Sequence, residues 1–316
     1  MTHLTGRKRH RGAIAAVLGA VLAAGCGGTE PAAPTRLVIA VQPTATAEQL
    51  AAESKELEQF LEARLPNVDV ELRVPTLFAG VIEALRFGHA DAAFMSAWPA
   101  ALAQKHAGAE VALAEVRQVL IDRETVERPF YYSYWVVMPG SPYKSLSDLK
   151  GRRVAFPSPL STSGYVMPMA KLVELGHLTP GEGEADPEQF FGQVLFAGGY
   201  AQAWQALKAG QVDATIIAGD VPAALYNEVL AATRVVESQG PIPSHAVVFA
   251  KTLQEPMRSQ LRDALMALGD EQHRDLMRRF ISGIFVRFQP ATTEEHLASL
   301  QQSLEATNLR FTERLR

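Results

Sequence analysis

The stretch "LSDLKGRRVAFPSPLSTSGYVMP", residues 146–168, carries the fold in miniature. Leu146 and Leu149 suit a short helix, Gly151 a turn, and Val154–Phe156 a buried strand. The segment from Ser163 to Gly176 then reads as a helix that admits Pro168 near its first turn. Between strand and helix stand Ser161, Thr162 and Ser163. A helix start leaves its first amides without intrahelical acceptors and carries roughly half a positive charge. One hydroxyl there is explained as an N-cap. Three in a row point instead to a cradle for a small anion, with donors that rotate to fit it.

Upstream and downstream the same alternation continues. "LVIAVQP" (37–43) is a short apolar run fit for a strand buried on both faces. "AEQLAAESKELEQFLEARL" (47–65) puts Leu50, Leu57, Phe60, Leu61 and Leu65 on one helical face. "VDVELRVP" alternates with period two, "AGVIEALRFG" is a short helix ended by glycine, and "ADAAFMSA" is a third strand. After "FYYSYWVVMPGS" a second unit repeats the order through "VLFAGGY", "AQAWQALKAG", "VDATIIAG" and "DVPAALYNEVL". "TRVVES" and "SHAVVFA" are strands, the second a return strand, and helices follow near 252–268, 270–282 and 293–305. Strands alternating with helices imply parallel, doubly wound sheets. The segments "ALRFGHADAAFMSA" and "ALKAGQVDATIIAG" are similar enough to suggest two like lobes joined by a hinge.

The N-terminal stretch is not part of that core. Arg7, Lys8, Arg9 and Arg11 precede "AIAAVLGAVLAAG", an apolar run too short to span a bilayer. Basic, apolar and small segments in that order read as an export signal over residues 1–25. It ends at Cys26, the single cysteine of the 316-residue chain. "LAAGC" resembles a bacterial lipobox, which implies lipidation of Cys26, and "GGTEPAAPT" makes residues 26–35 a flexible tether. Loss of the leader removes four basic residues, leaving 26 basic against 34 acidic, a net charge of −8. That balance argues against nucleic acid as a partner, and one cysteine allows no internal disulfide.

From Leu37 onward the chain resembles the phosphate/phosphite/phosphonate-binding family of ABC-transporter solute receptors. The resemblance rests on "VIEALRFGHADAAFMS", "YYSYWVV", "SLSDLKGRRVAFPSPLSTSGYVMP", "FAGGYAQAWQALKAGQVDA" and "PIPSHAVVF". It implies an α/β, two-lobed fold of the type II periplasmic-binding-protein kind, each lobe a doubly wound sheet with flanking helices, with two hinge crossovers. Lobe 1 is then residues 36–130 with 245–316, and lobe 2 residues 134–240. The family role of the Ser-Thr-Ser run, gripping ligand oxygens, falls on Ser161, Thr162 and Ser163. Tyr200 stands where the family has a histidine, Phe78 where it has a tyrosine, and Trp98 keeps an aromatic position while Ala100 replaces a tyrosine. Asp220 is the candidate for the family's acidic residue. Tyr132 and Ser133 match an aromatic–Ser pair at the first crossover. His245 lies at the return crossover, as a hinge residue or a ligand contact.

The implied function is a lipid-anchored, extracytoplasmic, monomeric receptor that closes on a small oxyanion and delivers it to an ABC permease and ATPase. Two alternatives keep the fold: a ligand-sensing subunit for a membrane histidine kinase, and a receptor for a sulfonate or pyrimidine-type organic ligand, which Phe78, Trp98 and Tyr200 would suit. The chain has no G-x-S-x-G elbow, no H-E-x-x-H and no phosphate-loop lysine motif, so no enzyme is expected. His89, His106, His177, His273 and His296 show no metal spacing. No metal or cofactor is expected.

Overall fold

Strand β1 (Thr35–Val41) is buried on both faces, as an unalternating apolar run demands. Leu37, Ile39 and Val41 enter one core, while Val38 and Ala40 enter the other. The computed structural model describes residues 33–45, 47–121 and 124–315. Cys26, the leader and most of the tether lie outside the described residues.

Helix α1 (Ala47–Glu62) returns the chain to β2 (Val68–Arg73), which pairs parallel with β1. Helix α2 (Phe78–Arg86) buries Phe78, Val81, Ile82 and Leu85, the spacing of one helical face. Strand β3 (Ala92–Met95) pairs parallel on the other side of β1, and α3 (Ala97–Ala107) follows it directly. Sequence order and spatial order thus reverse at β1, the arrangement that opens a crevice beyond the strands' C-terminal ends.

Strands β4 (Glu110–Ile121) and β5 (Glu124–Arg128) form an antiparallel hairpin that had no counterpart in the sequence reading. The chain then crosses at Pro129 into a second sheet through β6 (Phe130–Val137). That sheet continues with β7 (Arg153–Phe156), α4 (Met167–Glu174), β8 (Gln193–Phe196), α5 (Tyr200–Lys208), β9 (Ala214–Ala218), α6 (Ala223–Ala232) and β10 (Arg234–Pro243). Its order is β10-β6-β9-β7-β8, with β7 the switch point between two parallel neighbours. The return crossing at Ser244 and His245 leads to β11 (Ala246–Phe249), which pairs antiparallel with β3 and β4. Helices α7 (Met257–Met266) and α8 (Arg274–Phe280) precede β12 (Phe285–Pro290), a partner of β4.

The fold is therefore two α/β lobes joined by two crossovers, each sheet parallel in one half and antiparallel in the other. The crossovers lie side by side, for Ser244 N–H donates to the Pro129 carbonyl at 3.2 Å. Helix α9 (Thr293–Thr307), placed by sequence with lobe 1, packs against α3 and β4 of that lobe and against α4 and β10 of the other. The tail after it also spans both. Phe311 lies edge-on to Trp98 of lobe 1 at 6.3 Å and to Tyr165 of lobe 2 at 5.7 Å.

Candidate functional site

Five loops that leave the C-terminal ends of parallel strands meet between the lobes. From lobe 1 come Gln42 after β1 and Ser96 with Trp98 after β3. Lobe 2 supplies Ser161–Ser163 after β7, Tyr200 after β8 and Asp220 after β9. The crossings add Tyr131 and His245, and β4 adds Glu115 and Arg117. All but Trp98, at 9% exposed, are almost wholly sealed from solvent.

The hydroxyl run opens a helical segment with one wide turn (Thr162–Val166) that continues into α4. Ser161 caps it, its Oγ accepting the Gly164 amide at 3.0 Å. Thr162 Oγ1 accepts the Trp98 backbone N–H across the cleft at 2.7 Å. That bond sets the N-terminus of α3 opposite the start of the 162–166 turn. Ser163 Oγ meets the Tyr200 hydroxyl at 2.7 Å, and Tyr200 is the first residue of α5. Three helix starts thus converge, each bringing partial positive charge and orphan amides.

Asp220 is the hub of the polar network. Its Oδ2 accepts Ser163 O–H at 2.7 Å and Tyr131 O–H at 3.0 Å, and stands 3.2 Å from His245 Nε2. Burial raises the Asp220 pKa, but the His245 hydrogen bond and charge, the Arg117 charge and the Ser163 hydroxyl outweigh it, holding the carboxyl below its ordinary value. An ionised carboxylate only accepts, so His245 donates from Nε2. Burial, then the Asp220 charge, raises the Tyr131 and Tyr200 phenols well above their usual value, so both stay protonated donors. Oδ1 of Asp220, by contrast, is buried with no hydrogen-bond partner among the described residues.

These directions make the three hydroxyls unequal. Ser163 gives its proton to Asp220 and receives that of Tyr200. Thr162 accepts a backbone amide, which leaves its own O–H free to donate, whereas the Ser161 O–H faces the Tyr200 oxygen at 3.4 Å, a long bond that it can exchange for a better acceptor. Behind them, Arg117 and Glu115 form a fully buried ion pair with Nε to Oε2 at 2.8 Å, and the Arg117 guanidinium lies 4.0 Å over the Tyr131 ring. Burial opposes the Arg117 charge most strongly, but Glu115, Tyr131 and Asp220 more than restore it. His245 Nδ1 is 3.9 Å from Glu115 Oε1.

The structure brings Ser161, Thr162, Ser163, Tyr200, Trp98, Asp220 and His245 into this one cluster. Phe78 is 2% exposed and lines a cavity of about 130 Å³ with Pro157, Ser158, Pro159 and Leu160, the turn that leads into Ser161. Ser133 is buried but engaged sideways, accepting Gln239 Nε2 at 2.6 Å. Tyr132 lies on the other strand face, half-buried against Phe130 at 6.2 Å. Tyr131, Glu115, Arg117, Gln42 and Thr44 were not singled out by sequence. The signal for the charged pair was present: Glu115 and Arg117 interrupt an apolar run at strand spacing, on one face.

A sequence profile of the family described as "ABC transporter, phosphonate, periplasmic substrate-binding protein" matches residues 39–296. The phosphate-import protein PhnD of Mycolicibacterium smegmatis is 29% identical over 216 residues, a match that spans 66% of this chain and 65% of that relative. Among solved structures, a binding-protein component of an ABC phosphonate transporter from Pseudomonas aeruginosa superposes with a TM-score of 0.69 at 18% identity, covering 87% of both chains. PhnD1 of Prochlorococcus marinus, solved with methylphosphonate, gives 0.69 at 16% identity, over 87% of this chain and 99% of that one. The alkanesulfonate-binding protein SsuA of Xanthomonas axonopodis pv. citri, bound to MOPS, gives 0.59 at 19% identity, over 90% and 97%.

Proposed function

The chain belongs to the family of periplasmic substrate-binding proteins of phosphonate ABC transporters, and from that premise we propose that it captures a singly protonated phosphorus oxyanion between its lobes. Phosphate, phosphite and methylphosphonate are the members of that class to test. The observation that carries the reading is Asp220, an ionised buried carboxylate whose Oδ1 lacks a donor. An unpaired buried acceptor costs about 1–3 kcal/mol, and a ligand P–O–H would satisfy it. The other ligand oxygens would take the Ser161 and Thr162 hydroxyls and the helix-start amides.

The same carboxylate argues against the sulfonate alternative. A sulfonate has no proton to offer at neutral pH, so its oxygens would face Oδ1 as repulsion in a desolvated site. The Mycolicibacterium relative, a phosphate-import protein, and the Prochlorococcus neighbour, solved with methylphosphonate, favour phosphorus ligands; the SsuA neighbour favours sulfonates. Delivery to an ABC permease and ATPase, with a lipid anchor on Cys26, completes the reading. A sensor subunit for a histidine kinase would use the same closure, and adjacent genes for permease and ATPase, or for kinase and regulator, separate the two.

A thermal-shift panel tests the ligand class. A ligand at 100 times its dissociation constant adds about 2.7 kcal/mol, a rise in melting temperature on the order of 5 °C. We expect that rise with at least one of phosphate, phosphite and methylphosphonate and none with sulfate or methanesulfonate. Equal shifts with methanesulfonate would remove Asp220 as the discriminator.

A further inference from the structure

The anion cradle belongs to lobe 2, yet lobe 1 carries its own buried donors with nothing to donate to. Gln42 and Thr44 follow β1 in a tight turn closed by Thr44 N–H to the Gln42 carbonyl at 2.9 Å. Both side chains are fully buried. Gln42 Oε1 accepts the Ser96 backbone N–H at 3.0 Å and stands 3.2 Å from Ser96 Oγ. A backbone amide can only donate, so the oxygen must face Ser96 and the amide nitrogen must face away from it. Among the described residues Gln42 Nε2 has no partner, and neither has Thr44 Oγ1.

Their position is fixed from both sides. Ser96 stands at the N-cap position of α3, whose Trp98 amide reaches Thr162 across the cleft. The Pro43 carbonyl sits against Gly199, where an added Cβ would stand 3.2 Å from it. Gly199 caps α5, whose Tyr200 reaches Ser163. The 42–44 turn is thus wedged between two of the three helix starts that frame the cradle. Buried donors are rarely left unpaired without a reason, and two on one turn at the lobe boundary share one explanation.

We infer that Gln42 Nε2 and Thr44 Oγ1 are the lobe-1 donors that grip the bound oxyanion and so couple its capture to closure. The inference rests on the proposed ligand class. Lobe 2 alone would hold the anion by the cradle; these two groups make binding stronger when lobe 1 is in place, which is what differential affinity for the closed state requires.

The test uses the full chain and methylphosphonate, phosphite and phosphate as probes. Thr44→Val keeps shape and removes a hydroxyl that has no partner among the described residues, so the unliganded melting temperature should hold or rise. Gln42→Glu keeps an oxygen for Ser96 but replaces the free donor. We expect affinity for whichever probe binds wild type to fall at least ~10-fold in Thr44→Val and ~100-fold in Gln42→Glu. Should Gln42→Glu fail to fold, Thr44→Val carries the test alone. Wild-type binding with Thr44→Val within twofold overturns the inference and leaves the ligand class standing. Absence of binding to wild type by all three probes overturns both.

Discussion

At the scale of single residues, Asp220 carries three donors on one oxygen and none on the other, and the asymmetry makes its amide isostere informative. Asp220→Asn removes the charge that opposes an unprotonated oxyanion and can offer a donor in its place. The expected result is a ratio of methylphosphonate to methanesulfonate affinity at least tenfold smaller than in wild type, read by calorimetric titration. An unchanged ratio would locate discrimination elsewhere. The residue scale also marks where sequence reasoning stopped. Period two in "YYSYW" places Tyr131, Ser133 and Trp135 on one face and Tyr132 and Tyr134 on the other. Tyr132 and Ser133, the aromatic–Ser pair at the crossover, therefore lie on opposite faces, and it is Tyr131 that reaches Asp220. Gln42 and Thr44 look ordinary in "VQPT"; their meaning comes from unpaired atoms, which only a structure exposes.

Among the elements, the wide turn at 162–166 depends on Gly164. A Cβ there would overlap Pro157 Cγ and stand 2.8 Å from Ser161 Oγ. Gly164→Ala should leave both sheets intact but push Ser161 off its cap, so that circular dichroism is unchanged and the ligand-induced thermal shift is lost. Retention of the full shift would mean the cradle tolerates the displacement. The strand–turn–helix around this glycine was legible because its parts are local: an apolar run, prolines, then a cap. Strand β12 was not, since its antiparallel pairing with β4 joins segments far apart in sequence, and the hairpin β4–β5, though local, ends in the polar, exposed strand "ETVER", which carries no apolar alternation to announce it. Phe311, 6% exposed, is buried by Trp98 of one lobe and Tyr165 of the other. Phe311→Ala should cost about 3 kcal/mol in denaturant unfolding. A loss below ~0.5 kcal/mol would show that the tail is not part of the folded core.

For the whole molecule, α9 joins hinge and lobes, and His296 gives that junction a pH signature. Its Nε2 donates to the Ser244 carbonyl of the return crossover at 2.9 Å, and burial pushes the imidazole down to about 4. The folded His296 stays neutral while the unfolded one protonates near 6.5, so stability holds above pH 6.5 and falls as pH drops from there towards 4. Two and a half pKa units correspond to about 3 kcal/mol. His296→Gln should flatten that decline relative to wild type; parallel curves would contradict it. Asp220 acts in a lower window and with the acidic sign, its stabilisation present above its unfolded value and lost as pH falls through its lowered one. At this scale the sequence sufficed for two lobes and two crossings, because each strand–helix repeat states its own partner order. Calorimetric titration of wild-type protein with the phosphorus oxyanion that binds it, repeated in buffers of different ionisation enthalpy, counts protons moved on binding. Above the ligand's second ionisation the predicted count approaches one proton taken up per ligand bound. Tight binding with no proton uptake there would mean the dianion is accepted beside Asp220, and the account would be wrong.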